Sequence, residues 1–426
     1  MIEEVVEAAM EKSLAASGPS RMMTELSSEL VTLKDVKLDR EARTPTSIGE
    51  LDRLLGGGLV AGQVILLAGP PGIGKSTLMM QATAALAQGR KILYISGEES
   101  LRQVSGRAQR LGIQNESIYL LCETNLAKIL QTISEVNPWA VVLDSVQTVY
   151  HPQLTASPGS ISQVRECAAE LLRIAKGQET IVFILGHITK EGSLAGPKTL
   201  EHMVDTVLYF DTERHDLLRV LRAQKNRFGP TDEIGLFEMA EKGLKEVDNA
   251  SSFFIDQGQR GLAGRAVSVT MEGTRPLLVE AQALVVSTRY PLPRRMATGL
   301  DLNRVLVLLA AMEKHLRLSI ENQDVFVSLA GGLHLKDPAI DLAACMAVLS
   351  SAKEEALPEC VLIGEVGLLG EVSRVPHLEI RLKEAAKAGF KKAVVSARVA
   401  KDLSVAGLQV TGVANIQQAA NLLFKQ

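Results

Sequence analysis

At 426 residues, with 46% hydrophobic and 22% charged side chains, the chain has ordinary globular composition and is too long for one core, which points to two domains and a tail. Its 46 Lys and Arg against 49 Asp and Glu give a formal charge of -3, which excludes a uniformly basic nucleic-acid coat but not a locally basic channel. No apolar run reaches the roughly 20 residues that span a bilayer. The acidic start, Met1 to Met23, lacks a secretory pattern, and Cys122, Cys167, Cys345 and Cys360 are too scattered for a Cys-x-x-Cys pair. A cytoplasmic protein without a zinc ribbon is the expectation.

Residues 1–43 read as a polar leader, broken by Ser17-Gly18-Pro19-Ser20. From residue 44 to 248, short apolar runs alternate with amphipathic stretches, the pattern of an α/β domain with a mostly parallel sheet and helices on both faces. The predicted strands are Val64–Ala68, Lys91–Ile95, Ser117–Leu121, Ala140–Asp144, Thr180–Leu185, Thr206–Phe210 and Leu217–Leu221. The stretch from Arg222 to Gly229 then leads into Glu233–Glu238 as an antiparallel hairpin at the sheet edge. Residues 249–260 read as a linker. Residues 261–426 form a second α/β unit, with strands over Gly264–Met271, Leu277–Ser287, Asp324–Ser328 and Val361–Gly364 and a long helix over Pro338–Ala352.

The run Gly69-Pro70-Pro71-Gly72-Ile73-Gly74-Lys75-Ser76-Thr77 fits G-x-x-x-x-G-K-[ST] and lies between an apolar strand and an apolar helix, the context this phosphate-binding loop requires. Glycines let backbone N–H groups converge on phosphate oxygens, and the helix beginning at Lys75 turns its positive end toward them. Lys75 is expected at the β- and γ-phosphates of ATP and the Ser76 hydroxyl on Mg2+. Asp144 ends an apolar strand, where a carboxylate either faces magnesium through its water shell or caps the next turn.

Glu98 and Glu99 follow the second strand at the crevice edge of the sheet, where one of them orients the attacking water or both cap the next helix. His187 follows the fifth strand and is either a γ-phosphate sensor or structural. The polar loop Thr189–Lys198 carries Lys190 and Lys198, read as contacts to a DNA backbone, with a plain mobile loop as the alternative.

Residues 44–426 resemble the bacterial RadA (Sms) DNA repair family, a RecA-like ATPase core followed by a Lon-protease-like domain. Lys225-Asn226-Arg227-Phe228-Gly229 is its KNRFG signature, and Tyr94-Ile95-Ser96-Gly97-Glu98-Glu99-Ser100 and Gly186-His187-Ile188-Thr189-Lys190-Glu191-Gly192 match its other signatures. The resemblance implies a DNA-dependent ATPase and helicase, a homo-oligomeric, hexameric motor on single-stranded DNA. Such a motor promotes branch migration of recombination intermediates with the RecA recombinase. It favours Glu98 over Glu99 as the catalytic glutamate.

Lys225 and Arg227 lie two apart on an extended segment and so share a face. They either reach the ATP of a neighbouring subunit, bind DNA, or deter aggregation of an edge strand. RadA proteins usually begin with a four-cysteine zinc module that has no counterpart in this sequence, so zinc is not expected. Alignment with Lon puts Ala339 at the nucleophilic serine and Glu379 at the lysine, so peptidase activity is not expected and a scaffold role is. Arg294, Arg295, Arg304, Lys314 and Arg317 form a basic stretch that either lines DNA or is a solvated helix face. A RecA-fold ATPase acting on protein partners is the alternative function.

Overall fold

The computed structural model describes residues 42–187, 199–213, 218–231, 233–247, 255, 261–330, 335–401 and 403–424. Residues 1–41, the loop bearing Lys190 and Lys198, and all of the linker except Ile255 lie outside the described residues.

Nine strands build the first sheet: β1 (Val64–Gly69), β2 (Ile92–Ser96), β3 (Ile118–Cys122), β4 (Ala140–Asp144), β5 (Ile181–His187), β6 (Thr206–Glu213), β7 (Leu218–Asn226), β8 (Ile234–Ala240) and β9 (Gly243–Glu246). Their order is β3-β2-β4-β5-β1-β6-β7-β8-β9. The strands from β3 through β6 run parallel, and β7, β8 and β9 return as an antiparallel meander. All six residues of β1 are buried, as a strand covered on both faces must be. Ile65 and Leu67 pack on the side of α1 (Gly49–Leu54), α2 (Lys75–Leu86) and α3 (Leu101–Arg110). Val64, Leu66 and Ala68 pack on the side of α4 (Leu126–Val136) and α5 (Ile161–Gln178). The expected hairpin forms, but β9 rather than β8 takes the sheet edge.

The second unit has β10 (Arg265–Glu272), β11 (Arg275–Ser287), β12 (Arg295–Thr298), β13 (Gln323–Leu329), β14 (Val361–Leu362), β15 (Glu365–Val366), β16 (Val372–Ser373), β17 (Lys392–Ser396) and β18 (Gln409–Val413). A seven-stranded sheet runs β12-β13-β11-β10-β14-β17-β18, and β15 pairs with β16. Its helices are α6 (Leu302–Leu316), α7 (Asp341–Lys353), α8 (Leu378–Lys387), α9 (Ala397–Ala400) and α10 (Ile416–Leu423). The single helix expected from Pro338 is divided. Asp337 caps a 3-10 turn over Pro338–Ile340, and α7 starts at Asp341.

The two sheets share a hydrophobic cluster that joins Leu218, Val220, Ile234 and Leu236 to Leu277 and Val279. Arg275 crosses the junction, 2.6 Å from the Glu50 carboxylate and 2.9 Å from the Val247 carbonyl.

The basic stretch is not a single helix face. Arg294 precedes β12 and pairs with Asp324 at 2.6 Å, and Arg304 pairs with the buried Asp341, so both cations tie elements of the fold together. Ala339 is wholly buried, whereas Glu379 sits on the surface paired with Lys383 at 2.7 Å. The two positions aligned with the Lon dyad therefore do not share an open pocket.

Asp337 is the polar centre of this unit. Its carboxylate accepts from Arg381 Nη1 at 2.6 Å, Met271 N at 2.9 Å, Thr270 Oγ1 at 3.0 Å and Ala339 N at 3.1 Å. Arg381 is itself buried and also donates to the carbonyls of Val269 and Pro376. Burial alone raises the Asp337 pKa, but the bond and charge of Arg381 outweigh it and hold the carboxyl below its ordinary value. Asp337→Ala strands the buried guanidinium and should cost about 3–5 kcal/mol in urea unfolding at neutral pH. Because the folded pKa is depressed, this contribution is present above the ordinary carboxylate range and is lost as pH falls through the folded value. The gap between wild type and Asp337→Ala should therefore narrow in acid.

Candidate active site

The loop after β1 turns on residues that only glycine suits. Gly74 has φ of 117° at the cap of α2, and a Cβ on Gly69 would lie 2.6 Å from the Phe210 carbonyl oxygen. Lys75 opens α2 and is only 3% exposed. Its ammonium donates to the carbonyls of Gly69 at 2.8 Å and Pro70 at 2.9 Å and to His187 Nδ1 at 3.2 Å. Burial lowers the Lys75 pKa to about 8, against the opposing pull of Asp144 and Glu98.

An ammonium can only donate, so Nδ1 of His187 accepts and Nε2 carries the proton in this network. Nε2 then donates to Glu98 Oε1 at 3.0 Å, and the Ser145 hydroxyl donates to the same oxygen. Just before Glu98, Gly97 packs closely on Thr148, where a Cβ would lie 2.1 Å from Thr148 Oγ1. The structure separates the two glutamates. Glu98 bonds to His187, which also meets Lys75, whereas Glu99 pairs with Arg107 of α3. Neither caps α3, because Ser100 and Gln103 form its capping box. Asp144 ends β4 and accepts from the Tyr94 phenol at 2.8 Å.

Ser76 and Thr77 follow Lys75 in α2, both half-buried, while Pro70, Pro71 and Gly72 form the outer part of the loop before the buried Ile73. Around Gly72, which has φ of 75°, a Cβ would meet nothing within 4 Å, so the loop is open there. A positive loop, a serine hydroxyl and a carboxylate are the donor set that ATP and Mg2+ require. Lys75 and the loop from Gly69 to Thr77 would hold the phosphates, and Ser76 and Asp144 the magnesium. Bound there, magnesium supplies charge neutralisation on the phosphates. Glu98, fixed by two donors, has the chemistry to orient a water.

Lys225 and Arg227 are elsewhere. β7 runs antiparallel to β6, so its end at Asn226 lies beside Thr206, at the start of the parallel strands and not beside the loop. Their shared face on an extended segment is corrected: the strand ends at Asn226, and Arg227 occupies the following turn. Lys225 donates to the carbonyls of Glu201 at 2.8 Å and His202 at 3.2 Å. Arg227 lies 3.4 Å from Asp205 with its side chain 58% exposed. Asp205 also accepts from Val64 N at 3.0 Å and Lys176 at 2.6 Å.

Three residues at this edge have roles that the sequence does not reveal. Asn226 is buried and bridges Leu54 O at 2.9 Å, Thr206 Oγ1 at 3.1 Å and Phe228 N at 3.0 Å. Arg43, assigned to the leader, donates to the carbonyls of Leu55 at 3.0 Å and Phe228 at 2.6 Å, so the folded unit begins before residue 44. Asp205 gave no pattern signal. Ser145, which bonds to Glu98, and Tyr94, named only within a family signature, also carry no role in the sequence. A lone tyrosine in an otherwise aliphatic strand was the available clue, because a buried phenol needs a partner.

Lys75→Ala should keep the fold and abolish ATP turnover, since the loop loses its only ammonium. In the wild type that ammonium is charged below about 8, so its contribution to phosphate affinity is full below that value and falls away as pH rises through it. Titration of a fluorescent nucleotide between neutral and mildly alkaline pH should show that decline, and Lys75→Ala should remove it.

Residues 28–193 match the family described as AAA domain. The DNA repair protein RadA of Bacillus subtilis (strain 168) is 49% identical over 422 residues, covering 98% of this chain and 92% of that protein. RadA of Halalkalibacterium halodurans is 49% identical over 387 residues, covering 90% and 85%, and RadA of Listeria monocytogenes is 48% identical over 394 residues, covering 90% and 86%. Among solved structures, a KaiC-like protein from Pyrococcus horikoshii OT3 aligns with a TM-score of 0.42 at 20% identity, over 49% of this chain and 99% of that one. Among the described residues, no helix is long and apolar enough to cross a membrane. With near-complete coverage at this identity, and with a phosphate loop on a mostly parallel sheet, the chain belongs to the RadA family of DNA repair proteins and carries its RecA-like ATPase core.

Proposed function

We propose that the protein is a ring-shaped, DNA-dependent ATPase and helicase. In this reading it moves on single-stranded DNA and promotes branch migration of recombination intermediates alongside the RecA recombinase. The observation that carries the reading is the separation of Arg227 from its own phosphate loop. The two lie at opposite ends of β1, about 16 Å apart along a six-residue strand. An exposed guanidinium that cannot reach its own nucleotide is suited to a neighbour's, and a head-to-tail interface of this kind closes into a ring.

Within that ring, Lys75 grips the phosphates, Glu98 orients water, and Ser76 and Asp144 serve magnesium. His187, bonded to both Lys75 and Glu98, is the sensor. When a γ-phosphate claims the Lys75 ammonium, the bond to His187 weakens and the change passes to the loop that follows β5. Lys190 and Lys198 of that loop carry DNA contact. Lys225 and Arg227 act on the neighbour's ATP or on DNA. The unit that takes in Arg43 and ends near residue 248 forms the motor, and residues 261–426 form the Lon-like scaffold of a hexamer without peptidase activity. The buried Ala339 and the surface Glu379 fit that last statement.

Two tests apply. Single-stranded DNA should stimulate ATP turnover, and absence of any stimulation would remove the motor reading. Separately, Lys75→Ala and Arg227→Ala should each be nearly inactive alone. Mixed one to one, they should regain up to about a quarter of wild-type turnover, because that fraction of heterologous interfaces then joins an intact loop to an intact arginine. No recovery on mixing, with subunit exchange demonstrated, would contradict action across the interface.

A further inference from the structure

We propose that Tyr94 is a positioning residue for magnesium, its phenol holding the Asp144 carboxylate in the orientation that meets the ion's water shell. The inference rests on the reading of Asp144 as the magnesium-facing group.

The register of the sheet places the two side chains together. Tyr94 pairs with Val142 across the parallel strands β2 and β4, and Ser96 pairs with Asp144. Alternation along a strand puts Val142 and Asp144 on one face, so Asp144 is the diagonal neighbour of Tyr94, within reach of a long aromatic side chain. The ring packs in the cluster that contains Leu78 and Met79 of α2, on the phosphate-loop side of the sheet.

Tyr94 is 1% exposed, and its hydroxyl lies 2.8 Å from Asp144 Oδ2. A phenylalanine would fill the same apolar space, so what the hydroxyl adds is this bond. An ordinary phenol, with a pKa of about 10, is protonated throughout the neutral range, so the group can donate to Asp144 there. Arg107 and Glu99, whose charges also act on the phenol, are paired with each other. One phenolic donor fixes one carboxylate oxygen and leaves the other for water on a metal. Restraint of this kind on a metal-facing carboxylate is worth tenfold or more in metal affinity.

The experiment uses the full chain, with magnesium chloride titrated against a fluorescent, non-hydrolysable ATP analogue. Tyr94→Phe keeps the ring and removes the bond. The half-saturating magnesium concentration should rise about tenfold, with analogue affinity in excess chelator unchanged. In an Asp144→Ala background, Tyr94→Phe should add no further shift, which separates action through Asp144 from a general loss of packing. An unchanged half-saturation in Tyr94→Phe, or an equal shift in both backgrounds, would overturn the proposal while leaving Asp144 in its role. Magnesium-independent binding by the wild type would overturn both readings together.

Discussion

A buried ammonium at the end of β1 is the constraint from which the site follows. Lys75 is almost wholly enclosed, and a charge so placed demands several acceptors. It finds them in the Gly69 and Pro70 carbonyls and in His187. Because the ammonium only donates, the histidine must present its bare nitrogen to the lysine and its N–H to Glu98. One cation thus orients the groups of three separate strand ends, β1, β2 and β5, without any of them touching in sequence.

The same strand that delivers the loop also sets the distance to the other cationic edge. Val64 at its start bonds to Asp205, and Asp205 holds Lys176 and Arg227. The KNRFG segment is therefore more than a pair of cations. Asn226 and Gly229 are structural, the former joining Leu54, Thr206 and Phe228, the latter packed where a Cβ would lie 3.0 Å from Gly56 Cα. This base presents Arg227 outward from the end of β1 opposite the phosphate-loop motif.

Much of this was legible in the sequence because the signals are local. A continuous apolar run meeting a glycine loop is read within a dozen residues, and Asp144, Glu98 and His187 each announce themselves by standing at a strand end. What the sequence hid depends on register and on contacts far apart along the chain. The Tyr94 and Asp144 bond spans 50 residues, and Asn226 reaches Leu54 across 172. The two-residue strands β15 and β16 are too short for any periodicity to reveal. The basic residues Arg294 and Arg304 read as surface because their acidic partners, Asp324 and Asp341, lie 30 and 37 residues away.

The central claim is that each phosphate site is completed by the neighbouring copy. Electron cryomicroscopy of the protein with single-stranded DNA, magnesium and a non-hydrolysable ATP analogue tests it most directly. The expected result is a closed ring in which Arg227 of one subunit leaves Asp205 and meets the γ-phosphate held by Lys75 of the next. Nucleotide bound at Lys75 with no neighbouring subunit against it, and Arg227 still on Asp205, would contradict it.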